Sequence, residues 1–170
     1  MDQRTLTAHH EAGHAVAAVM RGGTQLHYVN VIQDGDTLGF THYSGRRCDE
    51  AFIAYAGPWA EARAQWPISD LNDEDDDGCT FPDYVTGAFL TNIDGDAEAY
   101  QSALKAELLG PPDPELLTAR EGIWGRELQR AWPVVQQVAQ LLAADGADMY
   151  HSADHRAWHD VIRELLDRRQ

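Results

Sequence analysis

His10-Glu11-Ala12-Gly13-His14 is the stretch that decides how this chain is read: an H-E-x-x-H string near the front of a predicted helix. Two histidines four residues apart stack on one helical face, so both imidazoles reach toward a single cation. The glutamate between them is placed to touch a water on that cation rather than the cation itself. Two neutral nitrogen ligands, an open coordination position and a carboxylate to take a proton are the minimal equipment for zinc-assisted hydrolysis. The competing reading of the motif is a helix with two hydrogen-bonded histidines and no metal.

Working outward, the helix around the motif is expected from about Arg4 to Met20, stopped by Gly22-Gly23. Leu6, Gly13, Ala17 and Met20 fall beside the His10/His14 stripe, which turns the histidines inward across a partly apolar surface. Gly13 leaves room for another backbone to approach, at about 1 kcal/mol of helix propensity. Two β-type runs follow, Leu26 to Ile32 and Thr37 to Tyr43, and Asp34-Gly35-Asp36 between them reads as a hairpin turn.

A second helix is expected from about Asp49 to Gln65, kinked or restarted at Gly57-Pro58. Residues 66–94 read as a mostly irregular acidic excursion. A third helix should start near Asp94-Gly95-Asp96 and run to about Leu108, where Gly110-Pro111-Pro112-Asp113-Pro114 breaks it. The fourth, from about Glu115 to Ala144, carries Leu128, Trp132, Val135, Val138, Ala139 and Leu142 at helical spacing and should bend at Pro133. A last helix after Ser152 sets Trp158, Val161, Ile162, Leu165 and Leu166 on one face. The expected fold class is mainly α with a small β-hairpin (α+β), in one domain spanning 1–170.

A chain of 170 residues with 44% apolar content supports a real core. The formal net charge of -15 argues against nucleic acid and anionic membrane surfaces, both of which repel such a field. No apolar run is long enough for a membrane span, and Met1-Asp2-Gln3-Arg4 does not open a signal peptide. Cys48 and Cys79 stand apart, suggesting neither a disulfide framework nor a thiolate metal site. A cytoplasmic protein is the expectation.

A catalytic zinc takes three protein ligands, and the motif supplies two. By chemistry the third comes from His27, His42, Glu61 or the Asp94/Asp96 pair, and spacing alone selects none of them.

Ala8-His9-His10-Glu11-Ala12-Gly13-His14-Ala15-Val16 resembles the H-E-x-G-H-A segment in the peptidase domain of FtsH-type AAA+ metalloproteases, a zincin-like helical fold. Val29-Asn30-Val31-Ile32 followed by Leu38-Gly39-Phe40-Thr41 is similar to that family's strand pair, and Ala56-Gly57-Pro58-Trp59-Ala60-Glu61 to its A-G-R-x-A-E-E helix. Gly95-Asp96-Ala97-Glu98-Ala99 lies where the family starts a helix with its third zinc ligand.

The resemblance implies one Zn²⁺ per chain held by His10, His14 and Asp96, with Glu61 supporting a ligand imidazole and Glu11 as general base. It also implies that the strand around Leu38, Gly39 and Phe40 holds an extended peptide by edge pairing; plain hairpin packing is the alternative for Gly39. Pro58 departs from the family's arginine, and Asp94 competes with Asp96. For Asp96 the bland reading is a first-turn acid favoured by the helix dipole.

The expected function is that of a stand-alone zinc metalloendopeptidase acting on peptides and flexible or unfolded polypeptides. No G-x-x-x-x-G-K-[ST] phosphate loop is present, so unfolding of substrates would fall to a separate partner protein or ATPase. The alternatives are a catalytically idle, metal-binding interaction protein that keeps the fold, and hydrolysis of a non-peptide amide. Two weaker signals favour solvated surface over a site. Asp73-x-Asp75-x-Asp77-Gly78 copies half a calcium loop but has Tyr84 at the twelfth position, and His151, His155 and His159 recur every four residues.

Overall fold

The computed structural model describes residues 1–34, 36–91, 95–108, 113–144 and 156–169. It is mostly helical, with one antiparallel pair of strands. In chain order the elements are α1 (Gln3–Met20), β1 (Gln25–Asp34), β2 (Asp36–Ser44), α2 (Arg47–Gln65), α3 (Phe81–Thr91), α4 (Asp96–Leu108), α5 (Pro114–Ala144) and α6 (Arg156–Asp167).

Helix α1 is the central element. Asp2 caps it by accepting the Thr5 backbone N–H at 2.8 Å. Every residue from His10 to Val19 is buried. Alanines dominate that stretch, and small side chains on every side let three neighbours come close: α2, α5 and the hairpin. Gly13 lies under the Ala56 carbonyl of α2, so closely that a Cβ there would overlap it. Arg4 ties the first turn of α1 to the end of α5 by donating from Nε to the Ala143 carbonyl at 3.0 Å.

The hairpin pairs Asn30 with Phe40 and Val31 with Gly39, and its register shifts between Leu26 and Tyr28. That extra residue reverses the in/out alternation, which is why Leu26 and Val29 are both buried although three positions apart. Helix α6 packs on β1, burying Trp158 and Ile162, and the His159 ring accepts the Leu26 backbone N–H at Nδ1, 3.2 Å away. Val161, expected on that apolar face, is 37% exposed instead. Among the described residues β2 has β1 as its sole strand neighbour.

Two expectations are corrected here. Helix α2 runs without interruption through Gly57-Pro58. Proline removes one backbone donor, but burial of Phe52, Ile53 and Trp59 on either side holds the segment helical. The excursion at 66–94 is not irregular throughout, because Phe81–Thr91 forms α3. Its apolar residues Phe81, Val85 and Ala88 follow helical spacing and are buried, and the acidic part before it is a loop. In that loop Asp75 accepts the Asp77 and Cys79 backbone N–H groups and the Tyr84 hydroxyl, so this carboxylate serves a local turn. His151 and His155 lie outside the described residues.

Candidate metal centre

The site forms where α1, α2 and α4 meet behind the hairpin. His10 and His14 project from one face of α1 and are both buried. Asp96 is the first residue of α4, entered through Gly95 at φ +85, a conformation that suits glycine. The helix start aims the Asp96 carboxylate at the two imidazoles. Its Oδ2 lies 2.7 Å from His10 Nε2 and 3.3 Å from His14 Nε2, and the two Nε2 atoms are 3.0 Å apart.

The outward-facing ring nitrogens have partners of their own. His14 Nδ1 donates to the Ile53 carbonyl of α2 at 2.7 Å, and His10 Nδ1 donates to Glu61 Oε2 at 2.9 Å. With Nδ1 protonated on both rings, each Nε2 can present its lone pair to the shared space.

This donor set fits a divalent ion. Each of the three residues offers a ligand atom, all within 4.8 Å of one another. Around tetrahedral zinc, ligand atoms about 2.0–2.1 Å from the ion sit roughly 3.3 Å apart. Of the observed separations, 3.3 Å already matches, while 3.0 and 2.7 Å would have to open by about 0.3 and 0.6 Å. Two imidazoles and one carboxylate also make the three-ligand set that leaves a position for chemistry.

The electrostatics of the metal-free cluster point the same way. Burial disfavours a charged His10, yet the hydrogen bonds it donates to the Asp96 and Glu61 carboxylates outweigh that and raise its pKa to about 10. His14 is likewise raised, its burial overcome by the Asp96 charge. Burial works against an ionised Asp96 too, but the two histidines hold it well below the usual carboxylate range. The proton shared between these imidazoles and the Asp96 carboxylate is the one a divalent ion would displace on binding.

Glu11 points from the same turn of α1 toward the hairpin. It is 4% exposed, and Thr41 donates its hydroxyl to Glu11 Oε2 at 2.5 Å and to the Glu11 carbonyl at 3.2 Å. Burial pushes the Glu11 carboxyl above its ordinary pKa, against the lowering pull of His14, His10 and Thr41.

Gly39 lies directly against Glu11, and a Cβ at that position would overlap the carboxylate. Phe40, on the opposite face of the strand, is 46% exposed. Asp94 and the Leu38 side chain lie outside the described residues. The His27 and His42 rings lie side by side on the hairpin, tilted by 31° with centroids 5.0 Å apart, and His27 is bonded to Ser44.

Three participants escaped the sequence: Thr41, the Ile53 carbonyl and Gly57, whose Cα faces the His14 ring. Thr41 was within reach of it, because alternation places Thr41 on the same strand face as Gly39. The other two depend on how α2 crosses α1, which no local pattern encodes.

Residues 4–62 match the profile of a protein family described as Peptidase M50B-like. The matched stretch holds His10, Glu11, His14, Thr41 and Glu61, and stops short of Asp96. The match supports a metallopeptidase-like reading in general and is not to the FtsH-type family that the sequence resembles. No curated protein and no solved structure matches the chain.

Proposed function

We propose that this chain is a zinc-dependent metallopeptidase that hydrolyses peptide bonds in flexible or unfolded polypeptides, with Glu11 as general base. The observation that supports this most is the convergence of His10 Nε2, His14 Nε2 and an Asp96 oxygen, arriving from α1 and α4, while both Nδ1 atoms are engaged elsewhere.

Those three side chains would hold one Zn²⁺ per chain. A zinc ion there supplies Lewis-acid polarisation of a peptide carbonyl and acidification of a nearby water. The protein's residues do the rest. Glu61 and the Ile53 carbonyl fix the tautomers and orientations of the two imidazoles. Thr41 fixes the Glu11 carboxylate.

As the water oxygen attacks the scissile carbonyl carbon, Glu11 takes the water's proton. When the C–N bond breaks, Glu11 passes that proton to the leaving nitrogen. The edge of β2 around Leu38, Gly39 and Phe40, which no other strand among the described residues covers, runs beside Glu11 and suits an extended substrate backbone.

The reading extends to an FtsH-like peptidase of the cytoplasm, acting alone or supplied by a separate ATPase. The structure's share in this is narrower: among the described residues no helix is long and apolar enough to cross a membrane.

The test is Glu11→Gln with an unfolded protein such as reduced casein as substrate. The wild type should cleave it in the presence of zinc. The variant should keep its zinc and lose about 10²–10⁴-fold in rate, the usual contribution of a general base. A zinc-loaded wild type that cleaves no peptide would overturn the peptidase reading in favour of a metal-binding interaction protein.

A further inference from the structure

His27 and His42, both able by chemistry to ligate zinc, do not join the cluster of His10, His14 and Asp96. They form a pair of their own on the hairpin, where His42 is exposed and His27 half-buried. A backbone irregularity brings them together. His42 stands opposite Tyr28 and Tyr43 opposite Leu26, so His27 is the extra residue of the bulge and has no ladder partner. In an unbroken ladder residue 27 would point away from the face that Tyr28 and His42 share. The bulge re-aims it, and its ring centroid ends 5.0 Å from that of His42.

That spacing suits a shared ion. With Zn–N bonds of about 2.0–2.1 Å, imidazole centroids sit roughly 3.2 Å from the metal and roughly 5 Å apart around a tetrahedral centre. His10 and His14, the ligand pair of α1, have centroids 4.8 Å apart.

The His27 ring is also anchored as a ligand imidazole is. Ser44 Oγ lies 2.7 Å from His27 Nε2. With Nε2 donating to that hydroxyl, Nδ1 keeps its lone pair, just as the Glu61 and Ile53 contacts leave Nε2 open on His10 and His14. The Tyr28 ring lies against the other imidazole, its centroid 5.2 Å from that of His42. Water can complete the coordination at this exposed position, and the field of a chain with net charge -15 draws cations toward it. Imidazole donors select zinc, copper and nickel over magnesium and calcium, which prefer oxygen.

We propose that His27 and His42 form a second divalent-ion site, open to solvent, that takes an imidazole-seeking transition ion such as Zn²⁺ and ties β1 to β2. Two protein ligands instead of three make it the weaker site, emptied by desalting while the centre on α1 keeps its ion. It is independent of the peptidase reading, although the strand it braces also carries Thr41, which holds Glu11.

The experiment is calorimetric titration of desalted protein with Zn²⁺. Beyond the ion it retains, the wild type should take up one further equivalent. His42→Phe keeps an aromatic ring beside Tyr28 and removes the donor nitrogens, so it separates ligation from plain ring contact, which tolerates the same spacing. It should abolish the further equivalent, as should His27→Gln. Ser44→Ala should weaken that uptake about tenfold, in line with the loss of a hydrogen-bond partner behind a ligand. Retained zinc and far-UV circular dichroism should not change in any of the three. His14→Ala, which retains no ion, should still take up the exchangeable equivalent, so failure of the α1 centre and failure of this site are told apart.

A wild type that takes up no further equivalent would overturn the proposal. So would uptake that survives both His42→Phe and His27→Gln, which would place the ion on other surface groups. Uptake that only one of the two removes would reduce it to adventitious binding at a single imidazole, and overturns the proposal too.

Discussion

Gly57 lies so close to the His14 imidazole that a Cβ at that position would overlap Nε2, the nitrogen that faces Asp96. The same crossing of α1 and α2 brings the Ala56 carbonyl onto Gly13 and the Ile53 carbonyl onto His14 Nδ1. Two glycines on facing helices thus set the interhelical distance at which the imidazole is held.

Gly57→Ala should therefore damage the site more than the fold. Alanine is the better helix former, so helical content should persist, while the displaced His14 ring should weaken zinc binding by about 10–100-fold, as loss of ligand support does elsewhere. Competition against a chromophoric chelator measures this. Unchanged affinity would show that the ring is not confined by α2.

Glu61→Gln keeps an oxygen acceptor for His10 Nδ1 and removes its charge. Zinc affinity should fall about tenfold with the fold intact, and Glu61→Ala should cost more because the acceptor goes as well. If both variants bind zinc like the wild type, Glu61 has no part in positioning His10.

The metal-free protein should lose stability as pH rises from about 6 to 9. The His10 pKa is raised from 6.5 to about 10, so its contribution is complete below the unfolded value and disappears as pH climbs through the folded one. Asp96 is shifted downward, so its contribution is present above 3.8 and lost only on acidification. These are two views of one cluster and are not added. Raised Glu11 acts in the same direction as His10, since burying its charged form is unfavourable once it ionises. The urea midpoint of chelator-treated protein should be highest between about pH 4 and 6.5. A midpoint that holds or rises toward pH 9 would contradict the cluster's electrostatics.

The parts of this molecule written in local spacing were legible in the sequence. The His10/His14 stripe, the hairpin around Asp34–Asp36 and helices α4 to α6 all follow from periodicity and punctuation, which act over a few residues. Helix α3 was hidden because the acids at 70–77 dominated the composition of a segment whose second half is apolar at helical spacing. Pro58 suggested a break that tertiary burial overrides.

At the site, the two histidines and Glu11 are readable from the motif. The approach of Asp96 across 82 and 86 residues of chain to His14 and His10 is not, and was indicated through family resemblance alone. Thr41, Gly57 and the Ile53 carbonyl are consequences of packing, so they become visible only in three dimensions.

The central claim is that His10, His14 and Asp96 together hold one divalent ion. Its most direct measurement is the metal content of protein purified without chelators, followed by zinc titration of the wild type, His14→Ala and Asp96→Ala. The wild type should carry or take up one zinc per chain, His14→Ala should be empty, and Asp96→Ala should bind far more weakly, whereas Asp94→Ala should bind as the wild type does. Wild-type protein that arrives without metal and fails to retain added zinc would contradict the account.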